Sequence, residues 1–440
     1  LKKIFKKSLL FIVIVVAVYG LARFADIFYG SYVFVERQPY MVMQTPNAVT
    51  FKWQTPKEEI GTLSYGLSAG ELDKNISEPN AVDKHSLTLS DLEECSQYFY
   101  TINSSSLTID NTNRSFTTPC KNAEFQRIWA IGDSGKRGKD QQAVYEQMLS
   151  YLDHNLSQLN MWILLGDNAY TSGTQKDYNE GMFEAYPELL KRFAPWALMG
   201  NHDARRWAFY DIFDFPVNGE NGGLPSGDER YYSVEDGNLH LVMLDNETAD
   251  LSADGAMASW LKKDLAANTK PWVIVVFHTP PYTDGGHHSD SSYDSGGRLQ
   301  KMRENFVPIF DAYGVDLVLS GHSHDYERSL LMRNHLGKSD TFDAQTQVLQ
   351  NDASCYTKPL KATPNSGTIY QVCGSSSKLD KAALKHPALP FSFQEMGSLI
   401  LEITPTTLTS KFLNIHGKIS DQFTIHKNNT ICGDKKNEQR

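Results

Sequence analysis

The sequence predicts a protein of mixed α/β class: an N-terminal β-sandwich, then a larger part in which helices cover β-sheets. Three observations lead there. Residues 33–118 carry short alternating apolar segments separated by turn residues, with no convincing helix. From Phe125 onward, continuous apolar runs alternate with segments of helical spacing. The length of 440 residues exceeds one typical domain and falls short of three.

The chain opens on a targeting segment. Residues 1–7 read Leu-Lys-Lys-Ile-Phe-Lys-Lys, and Ser8–Ala22 is an almost unbroken apolar run. That shape reads as a cleaved export signal or a retained membrane anchor over 1–25. The run falls short of the ~20 residues that span a bilayer comfortably. Gly20-Leu21-Ala22 offers small residues for cleavage, with Arg23 directly after. The four lysines at one end argue against a buried core helix. Either form places the working protein outside the cytosol: secreted, periplasmic or at the cell surface. Leu1 stands where an initiator Met would, which points to a start upstream or an unusual start codon.

The sandwich rests on Val49–Trp53, Leu63–Gly66, Ser86–Leu89 and Tyr98–Ile102, each read as a strand and separated by Thr55-Pro56, Ser68-Ala69-Gly70 and Pro79-Asn80. Thr117-Thr118-Pro119 reads as a linker. Beyond it, strands are expected at 125–131, 161–165, 196–199, 239–244, 272–277 and 315–319. Helices are expected at 141–155, 178–193, 253–267 and 301–313. Continuous apolar strands covered by helices imply a layered α/β fold. The tail segments 368–373, 398–404, 408–413 and 419–425 read as an antiparallel meander.

Composition narrows the function classes. With 42 Lys+Arg against 52 Asp+Glu, the net charge is −10. An acidic surface argues against nucleic acid as a structural partner. It leaves phosphate chemistry open, because a bound metal reverses the local field. The five cysteines include no Cys-x-x-Cys, so a thiolate zinc site is not expected. Cys95–Cys120 and Cys355–Cys373 are the nearest candidate disulfides, with isolated thiols the alternative, and the odd count leaves at least one unpaired.

Polar clusters stand where apolar strands end: Gly132-Asp133-Ser134-Gly135, Gly166-Asp167-Asn168-Ala169-Tyr170, Gly200-Asn201-His202-Asp203, Phe277-His278-Thr279-Pro280 and Gly321-His322-Ser323-His324. Ligands bind beyond the carboxyl ends of strands in α/β sheets, so these clusters can meet in one crevice. One Gly-Asp after a strand is an ordinary turn, but a register of such clusters, all with oxygen or imidazole donors, is not. Asp133, Asp167, Asn201, His278, His322 and His324 offer nitrogen and oxygen without thiolate, which suits Fe, Zn or Mn. That set exceeds the needs of one catalytic ion. Two ions sharing a carboxylate can clamp the attacking and leaving oxygens in phosphoryl hydrolysis and make hydroxide available at mild pH.

The ordered series Gly-Asp, Gly-Asp-x-x-Tyr, Gly-Asn-His, His, Gly-His-x-His resembles the calcineurin-like metallophosphoesterases. Tyr170, three residues after Asp167, and the run His322-Ser323-His324-Asp325-Tyr326-Glu327-Arg328 narrow the resemblance to purple acid phosphatases. The stretches 278–298, 367–378 and 386–401 look most like bacterial members. The resemblance covers about 40–425. It implies a fibronectin-type β-sandwich over 33–118 and a four-layer αββα metallophosphoesterase domain over 124–428. It further implies that Asp133, Asp167, Tyr170 and His324 hold Fe(III), and that Asp167, Asn201, His278 and His322 hold Zn, Fe(II) or Mn, with Asp167 bridging. A tyrosinate donor favours Fe(III), and its charge transfer gives the family its colour.

Three further histidines are candidates for contact with substrate. His202 follows a ligand, and His287 and His288 follow His278 on a loop rich in Gly, Ser and Asp. Imidazole suits general acid work because its unperturbed pKa is ~6.5. The residues after His288, Ser289-Asp290-Ser291-Ser292, depart from the plant-type pattern and leave the choice between His287 and His288 open. Lys136, Arg137 and Lys139 read as a solvated charge run. The expected activity is hydrolysis of small phosphate monoesters by an exported acid phosphatase. A phosphodiesterase or nucleotide hydrolase with the same metals, and a non-catalytic surface binding protein, are the rival readings. Oligomeric state is left open.

Overall fold

A computed structural model describes residues 2–204 and 207–427. Leu1, Cys432 and residue 428, the far end of the expected second part, lie outside that range. Lys2–Tyr32 is one continuous helix. Its stretch Phe11–Tyr32 is long and apolar enough to cross a membrane, and its apolar part is exposed while Gly30 near its end is buried.

Two antiparallel sheets follow. One pairs Arg37–Val42, Val49–Glu59 and Val82–Leu89; the other orders Lys74–Ser77, Thr62–Gly66, Gln97–Asn103 and Ser115–Thr117. Alternate residues of both sheets, among them Phe51, Trp53, Leu63, Leu87, Tyr100 and Phe116, fill one shared core. The Phe51 and Tyr100 rings meet across it at 4.5 Å. Thr118 is fixed in place: its amide donates to the Ser96 carbonyl at 3.0 Å and its hydroxyl to the Glu93 carbonyl at 2.6 Å. The disulfide Cys95–Cys120 straps the same corner, so the expected linker is a rigid joint.

The larger part holds two seven-stranded sheets. The first runs Pro195–Ala197, Met161–Leu164, Gln126–Ile131, Gly397–Ile403, Thr407–Asn414, Ile419–Lys427, Cys355–Lys358. The second runs Tyr231–Asp236, Leu239–Leu244, Trp272–Val276, Leu317–Ser320, Ile369–Cys373, Tyr326–Arg328, Phe391–Phe393. Period-two alternation divides side chains between two cores. Leu239, Leu241 and Met243 face the first sheet, while Val242 and Leu244 face the helices on the other side. The helix Lys139–Tyr151 buries Gln141, Val144, Tyr145 and Met148, one stripe at helical spacing. The helix Ala256–Ala267 covers the opposite face with Met257, Trp260, Leu261 and Leu265. The layers are therefore helix, sheet, sheet, helix.

Three expectations need correction. The expected tail meander loses its first member: Ile369–Cys373 lies in the second sheet, parallel to Leu317–Ser320, and only Gly397–Ile403, Thr407–Asn414 and Ile419–Lys427 pair as an antiparallel meander. The helix expected over 178–193 is broken into Gln175–Tyr178, a π-turn at Asn179–Phe183, and Pro187–Leu190. Pro187 disfavours helical backbone in the residue before it, and Tyr186 sits at φ −129°, ψ 45°. The candidate disulfide Cys355–Cys373 does not form. Cys373 is free and buried at the end of an inner strand, whereas Cys355 is disulfide-bonded elsewhere and opens an edge strand of the other sheet.

A buried histidine pair sets an acid limit on stability. Burial lowers both His335 and His386 to about 4; Arg303 pushes His335 the same way and Asp290 opposes it. The folded value lies below the unfolded value of ~6.5, so the folded chain binds fewer protons between them. This contribution is fully present above about pH 6.5 and is lost as pH falls toward about 4. Neither His335 ring nitrogen has a partner, and its neighbours are the rings of Tyr282, Phe342 and His386. His335→Phe is therefore expected to flatten the fall in melting temperature over that window, measured by circular dichroism melts. An unchanged pH slope would show that His335 does not carry it.

Candidate metal centre

Parallel strands of both sheets end at one edge, and each ending carries a polar cluster. Asp133 follows Gln126–Ile131, Asp167 follows Met161–Leu164, and Asn201 follows Pro195–Ala197. His278 follows Trp272–Val276, and His322 and His324 follow Leu317–Ser320. Asp133, Asp167 and His322 adopt φ of 54°, 53° and 70°. A left-handed residue other than glycine costs on the order of 1–3 kcal/mol and persists where surrounding structure enforces it.

The side chains converge in two overlapping groups. The Tyr170 hydroxyl lies 2.9 Å from Asp167, 3.1 Å from Asp133 and 3.1 Å from His324 Nε2. Asn201 Oδ1 lies 2.9 Å from His322 Nδ1 and 3.2 Å from His278 Nε2, and that nitrogen is 3.5 Å from Asp167 Oδ1. Asp167 belongs to both groups. All of the metal-ligating residues expected from the sequence are thus brought together.

The outer nitrogens of the three imidazoles decide which way the lone pairs point. His278 Nδ1–H donates to the Leu165 carbonyl at 2.9 Å. Asp380 accepts from His324 Nδ1. Ser295 Oγ lies 2.6 Å from His322 Nε2 and accepts its proton while donating to Asp294 at 2.8 Å. A neutral ring with its proton on that outer nitrogen would turn its inner nitrogen toward carboxylate or amide oxygen, where a cation could sit between them; outer partners of this kind are how proteins orient metal-binding histidines.

Burial pushes the Asp167 carboxyl up, and the charge of Asp133 adds to it. Asp133 is held down, against burial, by His278 and His324. His278 is raised to about 9: burial opposes this, but Asp167, Asp133 and Glu247 outweigh it. The Tyr170 phenol is pushed well up by burial and then by both carboxylates, so it ionises here only beside a strong positive charge. The donor set fits two cations, and no Lys or Arg among the described residues pairs with either carboxylate.

Supporting groups hold this arrangement. Asp203 Oδ2 accepts from the Asn168 and Gly200 amides, each at 3.0 Å, and Tyr178 donates to its Oδ1 at 2.8 Å. The His202 amide donates to Asp167 Oδ1 at 2.8 Å. The His202 ring lies 4.3 Å from the Tyr170 ring and donates Nδ1–H to the Thr171 carbonyl at 2.7 Å. It stands beside the centre without entering either ligand group.

The geometry separates the two loop histidines. His287 stacks on His322, ring centroids 3.8 Å apart, and its Nδ1 meets Asp294 at 2.8 Å. The His288 ring is 59% exposed and turns to Asp284 at 2.7 Å. His287 is at the centre and His288 is at its edge. Asp294, Ser295, Asp380 and Asp203 are site residues that sequence reading did not single out. Only the enrichment of Asp and Ser after His288 signalled the first two.

This crevice between two sheets, lined by carboxylates and imidazoles, is a candidate two-metal centre. Residues 126–326 match the calcineurin-like phosphoesterase family. The chain is similar to purple acid phosphatase 18 of Arabidopsis thaliana, 31% identical over 232 residues, which cover 50% of this chain and 48% of that protein. It is also similar to purple acid phosphatase 23 of Arabidopsis thaliana, 23% identical over 338 residues, covering 71% and 67%. The match to the first of these spans about half the relative's length. The purple acid phosphatase isolated from yellow lupin (Lupinus luteus) seeds shares the fold, with a TM-score of 0.70 at 16% identity, over 89% of this chain and 74% of that one.

A Cβ at Gly200 would lie 2.1 Å from Asp167 Oδ1 and 2.2 Å from its amide nitrogen. Gly200→Ala is expected to displace Asp167 and weaken metal retention roughly 10–100-fold, the scale seen when groups around a ligand are altered. Elemental analysis after dialysis against a graded chelator reads this. Gly70→Ala, which meets nothing within 4 Å, serves as the control. Equal retention in both variants would show that Asp167 does not hold metal.

Proposed function

We propose that the chain is an exported acid phosphatase of the purple acid phosphatase type, hydrolysing phosphate monoesters. The observation that carries this reading is the convergence of Asp133, Asp167, Tyr170, Asn201, His278, His322 and His324, with Asp167 shared between two groups. In this reading Asp133, Asp167, Tyr170 and His324 hold Fe(III), and Asp167, Asn201, His278 and His322 hold Zn, Fe(II) or Mn. When bound, the cations neutralise phosphate charge and make a water acidic enough to attack phosphorus. Residues 33–118 form the fibronectin-type domain, 124–428 the catalytic domain, and 1–25 the export signal or anchor.

The protein's own groups do the rest. His202, as an imidazolium with its Nδ1–H engaged by the Thr171 carbonyl, donates Nε2–H to the phosphate. His287, fixed by Asp294 and stacked on His322, is the general acid that returns a proton to the departing alkoxide. His288 shapes the rim.

Elemental analysis of purified protein together with a panel of mono- and diesters tests the reading. Two bound metals per chain, and monoester hydrolysis that chelation abolishes and metal restores, are expected. Full activity after complete chelation would overturn it. Tyr170→Phe is expected to bleach a visible charge-transfer band with the fold intact, read by absorbance and circular dichroism. A colourless, iron-free and fully active parent would remove Fe(III) and leave the two-metal centre standing.

General acid help is worth roughly 10²–10⁴-fold and matters most for poor leaving groups. His287→Ala is therefore expected to slow alkyl phosphates far more than activated aryl phosphates, with metal content unchanged. His288→Ala should have a small effect on both. Equal losses on both esters in His287→Ala would make His287 a phosphate-binding group, and His202→Ala would then be the variant to compare.

A further inference from the structure

The N-terminal helix does not merely precede the catalytic part; its last third is fitted against the segment that follows Tyr170. Arg23 donates to Thr171 Oγ1 at 2.8 Å and to Ser172 Oγ at 3.3 Å. Asp26 pairs with Lys176 at 3.8 Å. Gly30 lies so close that a Cβ there would be 2.8 Å from Thr174 Oγ1. Thr171 is the residue whose carbonyl holds the His202 ring. One peptide thus links the seated helix to the metal centre.

The apolar run Ser8–Ala22 and this seated segment form a single helix without a break. Cleavage after Ala22 would require unwinding it in the middle. At 1.5 Å per residue the run is roughly 22 Å long, somewhat short of the ~30 Å hydrocarbon layer. A short span brings its flanking charges to the boundary: lysines on one side and Arg23 on the other. Arg23 therefore marks the outer surface, and Thr171 and His202 lie there with it.

Exposed aromatic side chains follow the same boundary. Phe24, Phe28 and Tyr32 form a contiguous stripe on the helix just past Arg23. Outside the helix, among the described residues, Trp207 and Tyr293 are the large apolar side chains left most open, at 89% and 90% exposure. Tyr293 precedes the Asp294-Ser295 pair that holds His287 and His322, and so stands on the rim of the site. Aromatic rings of this kind concentrate where membrane meets water.

We propose that the helix is retained as a membrane anchor whose seat on Thr171–Lys176 holds the mouth of the site against the bilayer surface, so that the substrate is a phosphate monoester carried by a lipid. The proposal rests on the phosphatase reading above. In the reaction a water oxygen forms a new bond to phosphorus, the bond from phosphorus to the lipid's alcohol oxygen breaks, and that oxygen takes a proton. Inorganic phosphate leaves and the lipid alcohol remains in the membrane.

The test uses the metal-loaded full chain in phosphatidylcholine vesicles, with phosphatidic acid in the same vesicles, phosphatidic acid in separate vesicles, or soluble glycerol 3-phosphate and an aryl phosphate. The chain is expected to float with vesicles after an alkaline wash, with its N-terminal segment intact by mass spectrometry. Phosphatidic acid in the same vesicle should be hydrolysed roughly 10²-fold faster than glycerol 3-phosphate at equal bulk concentration, the scale that tethering provides. Phosphatidic acid in separate vesicles should be slow. Arg23→Ala with Gly30→Leu should lose most of the same-vesicle advantage while aryl phosphate turnover stays near the parent value. A processed chain that washes off, or equal rates on lipid and soluble esters, would overturn the proposal and leave the phosphatase reading intact. Equal losses on lipid and aryl esters in the double variant would overturn it too, making the seat a structural support. No hydrolysis of any ester would bring down both.

Discussion

Two carboxylates, Asp133 and Asp167, are buried side by side where the strands Gln126–Ile131 and Met161–Leu164 end. Taking an ion out of water costs several kcal/mol even after relaxation, and placing two together adds repulsion. The chain shows how a buried carboxylate is otherwise satisfied. Asp316, equally buried, has Lys358 at 2.9 Å and Lys427 at 2.6 Å, one on each oxygen, and is held down by both. Asp133 and Asp167 receive only imidazoles, a phenol and backbone amides. Two buried carboxylates that share imidazoles, with no Lys or Arg paired to either among the described residues, are the constraint on which the rest of the site depends.

That arrangement costs local stability at several points and is held by the sheets. Left-handed backbone at Asp133, Asp167 and His322 is tolerated because the residues before each lie in parallel strands packed on both faces. Hydrogen bonds behind the ligands reach across both sheets. Asp133 Oδ2 takes the His322 amide at 2.7 Å, which ties the end of one sheet to the end of the other. Asp203 is raised to about 7 by burial and by Asp167, yet it anchors two amides and a tyrosine hydroxyl. The sandwich that precedes these sheets adds a rigid corner through Cys95–Cys120.

The candidate ligand residues were legible in the sequence because each lies within a few residues of an apolar strand, and strand runs are the strongest local signal in an α/β chain. Leu239–Leu244 was equally plain as a continuous apolar run, since its two faces meet two different cores. What escaped reading depends on distance or on competition. Asp380 meets His324 across 56 positions in sequence, and nothing local marks it. The choice between His287 and His288 turns on which side chain a loop points inward, a matter settled by Asp294 and by stacking on His322. The break in the helix expected at 178–193 comes from Pro187, whose effect on Tyr186 outweighs the apolar spacing. Cys355 and Cys373 are close in sequence but belong to different sheets, so proximity along the chain misled. The edge strands Arg37–Val42 and Tyr231–Asp236 were not read at all.

A division of labour follows from where the groups reside. The candidate metal-facing donors stand at strand ends fixed by two sheets, whereas the groups that would meet the organic half of an ester stand on the loops around Thr171, His202 and His287. The first set depends on the layered fold, which the lupin enzyme shares at 16% identity. The loops, by contrast, take their conformation from their neighbours. In this chain one of those neighbours is the N-terminal helix. Its contacts fall on Thr171 and Ser172, the two residues directly after Tyr170, and on Thr174 and Lys176 beyond them, so the apolar N-terminal helix borders the segment that carries Tyr170 into the candidate centre.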